Sequence, residues 1–218
     1  KRQGLLRTVY AAPPSYDLAG IPSHVDGNPY TQNSFRGSFD NAYWAMENNK
    51  FTEDTNRFFG NVYTSYQTDF GTTNHKLNAK YMVGVDAYTT HYVDSYGYGS
   101  NTGGGRGQIE NYGWTNATYN SLLTINYDWH INEDWGLNAV VGNEIIQSNR
   151  KKYYEYGTNY NFPGWNHINN ATTQQTEEET WKNRTVGFFG NVSASYRNML
   201  YLTLTGRQDY VSNMPRNN

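Results

Sequence analysis

The clearest hydrophobic pattern in the chain lies between Val186 and Arg207, where apolar and polar side chains alternate. Val186, Phe188, Gly190, Val192, Ala194 and Tyr196, then Leu200, Leu202 and Leu204, are apolar or glycine. Asn191, Ser193, Ser195 and Arg197, then Tyr201, Thr203, Thr205 and Arg207, are mostly polar. A period of two marks a strand with two unlike faces. Opposed residues of a hairpin share a face, so Tyr196 should oppose Leu200, with Arg197, Asn198 and Met199 as a three-residue loop. The polar face is small and hydroxylic with a charge at each end, which suits a wet lumen. The wholly apolar face suits lipid.

The same alternation predicts six strands in all, over 57–68, 76–89, 118–129, 137–147, 184–196 and 200–210. They pair as hairpins around short turns near 69–74, 130–136 and 197–199, and the predicted loops at the other end, 90–117 and 148–182, are long and polar. Short turns at one end and long loops at the other are the layout of outer-membrane barrels, periplasmic below and extracellular above. Residues 1–56, punctuated by Pro13-Pro14, Gly20, Pro22, Gly27 and Pro29, read as mostly irregular, with one helical turn around Tyr43, Trp44 and Met46. The run Phe-Phe-Gly-Asn-Val occurs at 58–62 and again at 188–192, each time in the entering strand of a short-turn hairpin. Tyr66, Phe70, Tyr127, Trp129, Trp135, Tyr196 and Tyr201 gather at the short-turn ends, where an interfacial aromatic girdle belongs.

Composition agrees with a barrel. The 218 residues carry a net charge of −2, which gives no polyelectrolyte signal for nucleic acid. Mean hydropathy is −0.88, yet 21 residues are Tyr. Such a chain has no helical membrane span, but a barrel needs apolar residues only at alternate strand positions. Cysteine is absent, which removes disulfides and Cys-based metal sites. With no Met at Lys1, the chain reads as a piece of a longer polypeptide.

Several stretches together resemble the SusC/RagA-type TonB-dependent outer-membrane transporters. Ala12-Pro13-Pro14-Ser15-Tyr16-Asp17 is similar to a Pro-Pro loop of that family. Asp40-Asn41-Ala42-Tyr43-Trp44 followed by Asn48-Asn49 resembles its Asn-Pro-Tyr-Trp stretch, with Ala42 in place of Pro. Arg57-Phe58-Phe59-Gly60-Asn61 resembles the strand that follows, and Gly206 to Pro215 resembles the Arg-x-Asp-x-Ser segment ending in Met-Pro. The resemblance implies a barrel of about 22 strands. Residues 1–218 would all belong to that one domain, as its middle-to-late portion without plug or TonB-contacting segment. It also implies import of glycan oligosaccharides or peptides, with a SusD-like surface lipoprotein as lid and the TonB complex as energy source. The work is binding and translocation; no enzyme activity and no cofactor is expected. A passive porin or adhesin, or a soluble all-β carbohydrate-binding module, are the rival readings.

The candidate contact residues for ligand or lid are Tyr153, Tyr154, Tyr156, Tyr160, Phe162 and Trp165, read as one aromatic loop. Other constellations carry less. Gly103 to Gly107 lacks the Gly-Lys-Ser/Thr ending of a phosphate loop. His24, His75, His91, His130 and His167 show no metal-ligand spacing, and Glu177-Glu178-Glu179 reads as a solvated run on a loop. Asp128, Glu144 and Asp209 cannot be placed at glycosidase separation, and no Ser/His/Asp pattern appears. A sheet of six strands should leave 57–68 and 200–210 as edges that pair with other polypeptide, because single-chain barrels need about eight or more strands.

Overall fold

A computed structural model describes residues 5–213. The sequence motif ending at Met214-Pro215 therefore runs partly outside the described residues. The helices are α1 (Leu5–Ala11) and α2 (Ala42–Asn48). Strands β1 (His24–Val25) and β2 (Asn28–Gln32) form a small antiparallel pair. The six long strands are β3 (Lys50–Thr68), β4 (His75–Tyr96), β5 (Gln108–His130), β6 (Trp135–Tyr160), β7 (Ala171–Tyr196) and β8 (Leu200–Val211). They form one sheet in the order β3-β4-β5-β6-β7-β8. Each strand hydrogen-bonds its sequence neighbour, and β3 and β8 are the two open edges. Among the described residues no helix is long and apolar enough to cross a membrane.

The opening hairpin has the predicted register. Tyr196 opposes Leu200, and the pairing continues through Val192↔Leu204 and Phe188↔Gln208. Arg197 and Asn198 both adopt positive φ (49° and 54°), as a type I′ turn requires at its two central positions. The Met199 amide closes that turn on the Tyr196 carbonyl at 3.0 Å. A similar turn joins β3 to β4. Phe70 (φ 56°) and Gly71 (φ 76°) occupy its centre, and the Thr72 amide donates to the Asp69 carbonyl at 3.0 Å.

Two expectations are corrected. The loops predicted at 90–117 and 148–182 are mostly strand, and the connections proper are only 97–107 and 161–170. The strand extensions escape a period-two search because both of their faces are polar or aromatic. Thr172 to Glu179 is one example, a strand with neither hydrophobic alternation nor, at its glutamates, β propensity, held by the ladder it joins. Glu177-Glu178-Glu179 thus lies on β7, and Tyr153, Tyr154, Tyr156 and Tyr160 lie on β6; only Phe162 and Trp165 sit in a loop. Residues 5–56 are also more ordered than predicted, with α1, β1, β2 and the whole of α2.

The described residues divide into two compact units. The first draws on Lys1–Asn56, Thr89–Trp114 and Lys152–Glu179; the second on Arg57–Tyr88, Thr115–Lys151 and Thr180–Asn218.

Candidate functional site

In the second unit the sheet has two faces of opposite chemistry. On one, Leu200, Leu202 and Leu204 are 66%, 63% and 67% exposed, and Phe188, Val192, Val141 and Val62 are exposed as well. On the other, polar side chains bond across the strands. Asn191 Nδ2 donates to Thr205 Oγ1 at 2.8 Å, and Ser193 and Thr203 share a hydroxyl bond at 2.9 Å. Asn138 Nδ2 donates to Asn126 Oδ1 (2.7 Å) and to Asp128 Oδ1 (2.6 Å). Arg57 forks onto Asp86 at 2.8 and 2.7 Å, and Arg207 reaches Glu144 at 2.7 Å and Asp209 at 2.9 Å.

Rings that fall among those polar side chains meet cations. Arg57 lies 5.1 Å from the Phe59 ring centre, Lys80 lies 4.4 Å from Tyr63, and Arg207 lies 5.8 Å from Phe189. Phe59 and Phe189 are equivalent positions of the repeated Phe-Phe-Gly-Asn-Val run, so the sequence echo is also an echo of environment. A side chain at Gly142 would run into the Phe189 ring at 2.2 Å, which explains the glycine in β6. At the short turns, His75 stacks on Tyr127 and Trp129, and Trp135 packs on Tyr196 at 4.8 Å. Arg197 bridges Asp134 of the adjacent turn at 2.8 Å, and its amide bonds the Asp134 carbonyl at 2.7 Å.

The first unit is built around the motif that begins at Asp40. Its carboxylate accepts from Gln32 Nε2 (2.7 Å), Asn49 Nδ2 (3.1 Å), Ser100 Oγ (2.7 Å) and the Asn101 amide (2.6 Å). Asn41 caps α2, its side chain accepting from the Tyr43 and Trp44 amides. Trp44 is fully buried, with its indole N–H on the Pro29 carbonyl at 2.7 Å. Asn49 also receives the Gly97 amide at 2.9 Å. Asp40 and Asn49 therefore clamp the 97–107 connection, and Asn41 and Trp44 fix the helix between them. Gly99 (φ 95°) passes so close to Tyr30 that a side chain would meet its carbonyl oxygen at 1.9 Å. Two glycines of the run 103–107 serve the same packing: Gly103 lies against Tyr96, and Gly107 lies under the buried Tyr160 ring, whose hydroxyl donates to the Gln108 carbonyl at 2.8 Å.

The six predicted contact residues separate. Tyr160 is buried in a small core with Ile109 and Ala171, and burial pushes its hydroxyl pKa up. Tyr153 bonds His91 Nδ1 at 2.5 Å. Tyr154 joins a different group, a run of rings across four adjacent strands. Phe51 stacks with Tyr92 (6.2 Å), Tyr92 with Tyr112 (4.8 Å, 8° between planes), and Tyr112 tilts against Tyr154 (6.4 Å). Trp114 tilts against Tyr92 at 5.5 Å. Glu53 receives the Tyr92 hydroxyl at 2.9 Å, and burial, then Glu110, raises the Tyr154 pKa. Sequence reading missed Tyr92, Tyr112 and Trp114. The signal for two of them is the i, i+2 spacing of Tyr112 and Trp114, which fall on one face only if the segment is strand.

Phe162 and Trp165 remain together in the 161–170 connection. Their rings are 5.8 Å apart and 13° from parallel, and His167 continues the row 4.9 Å from Trp165 at 6°. Phe162 and Trp165 are 51% and 44% exposed. The buried Asn170 fixes the loop beneath them. Its Nδ2 donates to the Phe162 and Trp165 carbonyls, both at 2.8 Å. Among the described residues no group of His, Cys, Asp and Glu is arranged to hold a metal ion.

An open antiparallel sheet of long strands, exposed and apolar on one face and hydrogen-bonded and polar on the other, is a segment of a transmembrane β-barrel. Solved structures share this fold. The chain is similar to the RagAB peptide transporter (TM-score 0.69, 16% identity). It is similar also to the RagAB peptide importer in its closed-closed state (0.69, 16%) and its open-open state (0.68, 17%). Each match covers 82% of this chain and 20% of the other, so the chain spans about a fifth of the length of those proteins. No family model and no curated protein matches the sequence.

Proposed function

We propose that residues 1–218 are part of one outer-membrane β-barrel domain, in a SusC/RagA-type importer of glycan oligosaccharides or peptides. A SusD-like surface lipoprotein covers the barrel, the TonB complex drives transport, and the edges β3 and β8 pair with the remaining barrel strands. The observation that carries this reading is the exposed apolar face of the second unit, backed by a cross-bonded polar face. A water-soluble sheet would hide the leucines and show the polar side chains; a barrel wall does the reverse. The likeness in fold to the RagAB structures supports the same reading. On it, the turns at 69–74, 131–134 and 197–199 face the periplasm, and the connections 97–107 and 161–170 face outward.

The test is fractionation and uptake with the full-length polypeptide. The protein should require detergent for extraction from the outer membrane. Uptake should stop when TonB or the surface lipoprotein is deleted. Extraction into plain buffer would reverse the reading, and uptake that persists without TonB would make the protein a passive porin.

A further inference from the structure

We infer that the apolar face of the second unit carries a site for one phosphorylated, acylated glycolipid of the outer leaflet, a lipid A. Arg184 and Lys182 meet its phosphate, and a groove over Gly60 takes an acyl chain. The inference rests on the barrel reading and its sidedness. It goes beyond them, because a barrel wall needs only an apolar belt.

The first observation is where the cations stand. On β7 the apolar alternation runs from Tyr196 through Val192 and Phe188 to Val186, and its next two members are Arg184 and Lys182. Tyr196 to Val186 is about 33 Å of strand, or about 25 Å of height at a tilt of about 40°, which is the height of a barrel's apolar band. Arg184 therefore stands at the headgroup level of the leaflet beside the long-strand end. Arginine and lysine at that level attract anionic headgroups.

The second observation is the charge around them. Asp86, Glu144 and Asp209 pair with arginines on the polar face, and Asp128 bonds Asn138 there. Asp69, Glu133 and Asp134 lie in the short turns. Among the described residues of the second unit, no carboxylate thus shares the face of Arg184 and Lys182. The next acid of that alternation on β7 is Glu178, six residues beyond Arg184 and about 20 Å along the strand. Arg184 is steadied without being neutralised. Its Nε donates to the uncharged Gln147 Oε1 at 2.9 Å, which leaves guanidinium N–H groups for phosphate oxygens.

The third is shape. Arg184 and Gln147 head a groove walled by Val186, Ile145, Tyr119 and Val83. Past Val83 and Tyr119 the hollow continues between Phe58, Val62 and Val85, over Gly60. A side chain at Gly60 would begin with nothing within 4 Å, so the glycine leaves the floor open. A cationic head joined to an apolar channel is the complement of a phosphorylated lipid with an acyl tail. The leaflet at this end is the outer one on the proposed sidedness, which selects lipid A over a phospholipid.

The test is native mass spectrometry of the full-length protein in detergent, titrated with monophosphoryl lipid A, its dephosphorylated form and phosphatidylglycerol. Monophosphoryl lipid A should bind tightest. Arg184→Ala combined with Lys182→Ala should weaken that adduct about tenfold. Gly60→Phe should weaken it as well, since the ring fills the groove and leaves both cations in place. Arg197→Ala removes a cation at the short-turn end and should leave the adduct unchanged. Equal binding of the dephosphorylated form, or equal loss in Arg197→Ala, overturns the inference, as does an adduct that neither the double variant nor Gly60→Phe weakens. Phosphatidylglycerol binding as tightly as lipid A overturns it too, since the site would then take any anionic lipid. Absence of a lipid A adduct on a protein that needs detergent for extraction sinks this inference and leaves the barrel reading standing. Extraction into plain buffer sinks the barrel reading itself.

Discussion

The two compact units hold themselves together in opposite ways. Among the described residues, every buried side chain belongs to the first unit, from Trp44 and Tyr160 to Asp40 and Ser100. Among its described residues the second unit buries only Gly187, yet it carries the leucines and valines of β7 and β8. The first unit is stabilised as a small water-soluble domain is, by a few large rings and a dense set of hydrogen bonds around one carboxylate. The second has ladders and cross-strand polar pairs but no core of its own, and its apolar surface awaits a solvent other than water. The same β strands thus serve two solvents, and what changes along them is the side-chain chemistry.

That contrast can be broken from either side. The largest effect is expected for Trp44→Ala, which removes a fully buried indole and its bond to Pro29. A loss of about 3–5 kcal/mol is expected, confined to the first unit. Hydrogen exchange should quicken at Ser100 to Gly103 while the short-turn hairpins keep their protection. Leu202→Arg comes next, at about 2–4 kcal/mol near a bilayer midplane, read as lower folded yield in lipid vesicles. Thr203→Arg, one residue on and on the polar face, should fold at nearly wild-type yield. Equal yields for the two arginine variants would abolish the distinction between the faces.

Asp40→Asn is smaller. It turns an amide N–H₂ toward donors that now meet a carboxylate oxygen, and should cost about 1–3 kcal/mol of local stability. Proteolysis of the 97–107 connection should rise in proportion. Smallest is Arg197→Ala, which removes an exposed bridge to Asp134 at 2.8 Å and should cost about 0–1 kcal/mol in a denaturant titration. A large loss there would mean that the turns, and not the strand ladders, hold the second unit.

How much of this was legible in the sequence follows the same division. In the second unit one face is apolar and one is polar, so period two is visible. The β7–β8 register, including Tyr196 opposite Leu200, could be read residue by residue. In the first unit the strands have polar or aromatic residues on both faces, and the alternation that reveals a strand vanishes. Tyr112 and Trp114 therefore read as loop, and Tyr153 and Tyr154, adjacent on β6, read as one surface although strand geometry sends them to different partners. The Asp40 motif could be quoted from the sequence but not explained. Its partners Ser100 and Asn101 lie in a distant connection, and no local pattern announces such a contact. Phe162 and Trp165 stay side by side because their stretch is a loop in fact.

The exposure of the leucine face to lipid is the central claim, and nitroxide accessibility measures it most directly. Single spin labels would be placed at Leu200, Leu202 and Leu204 and at Ser193, Thr203 and Thr205 in the full-length protein in bilayers. Labels at the leucine positions should collide with oxygen, which concentrates in lipid. Labels at the hydroxyl positions should collide with a water-soluble nickel chelate, so that accessibility alternates with period two along β8. Uniform access of the nickel reagent to both sets, with no alternation, would contradict the account.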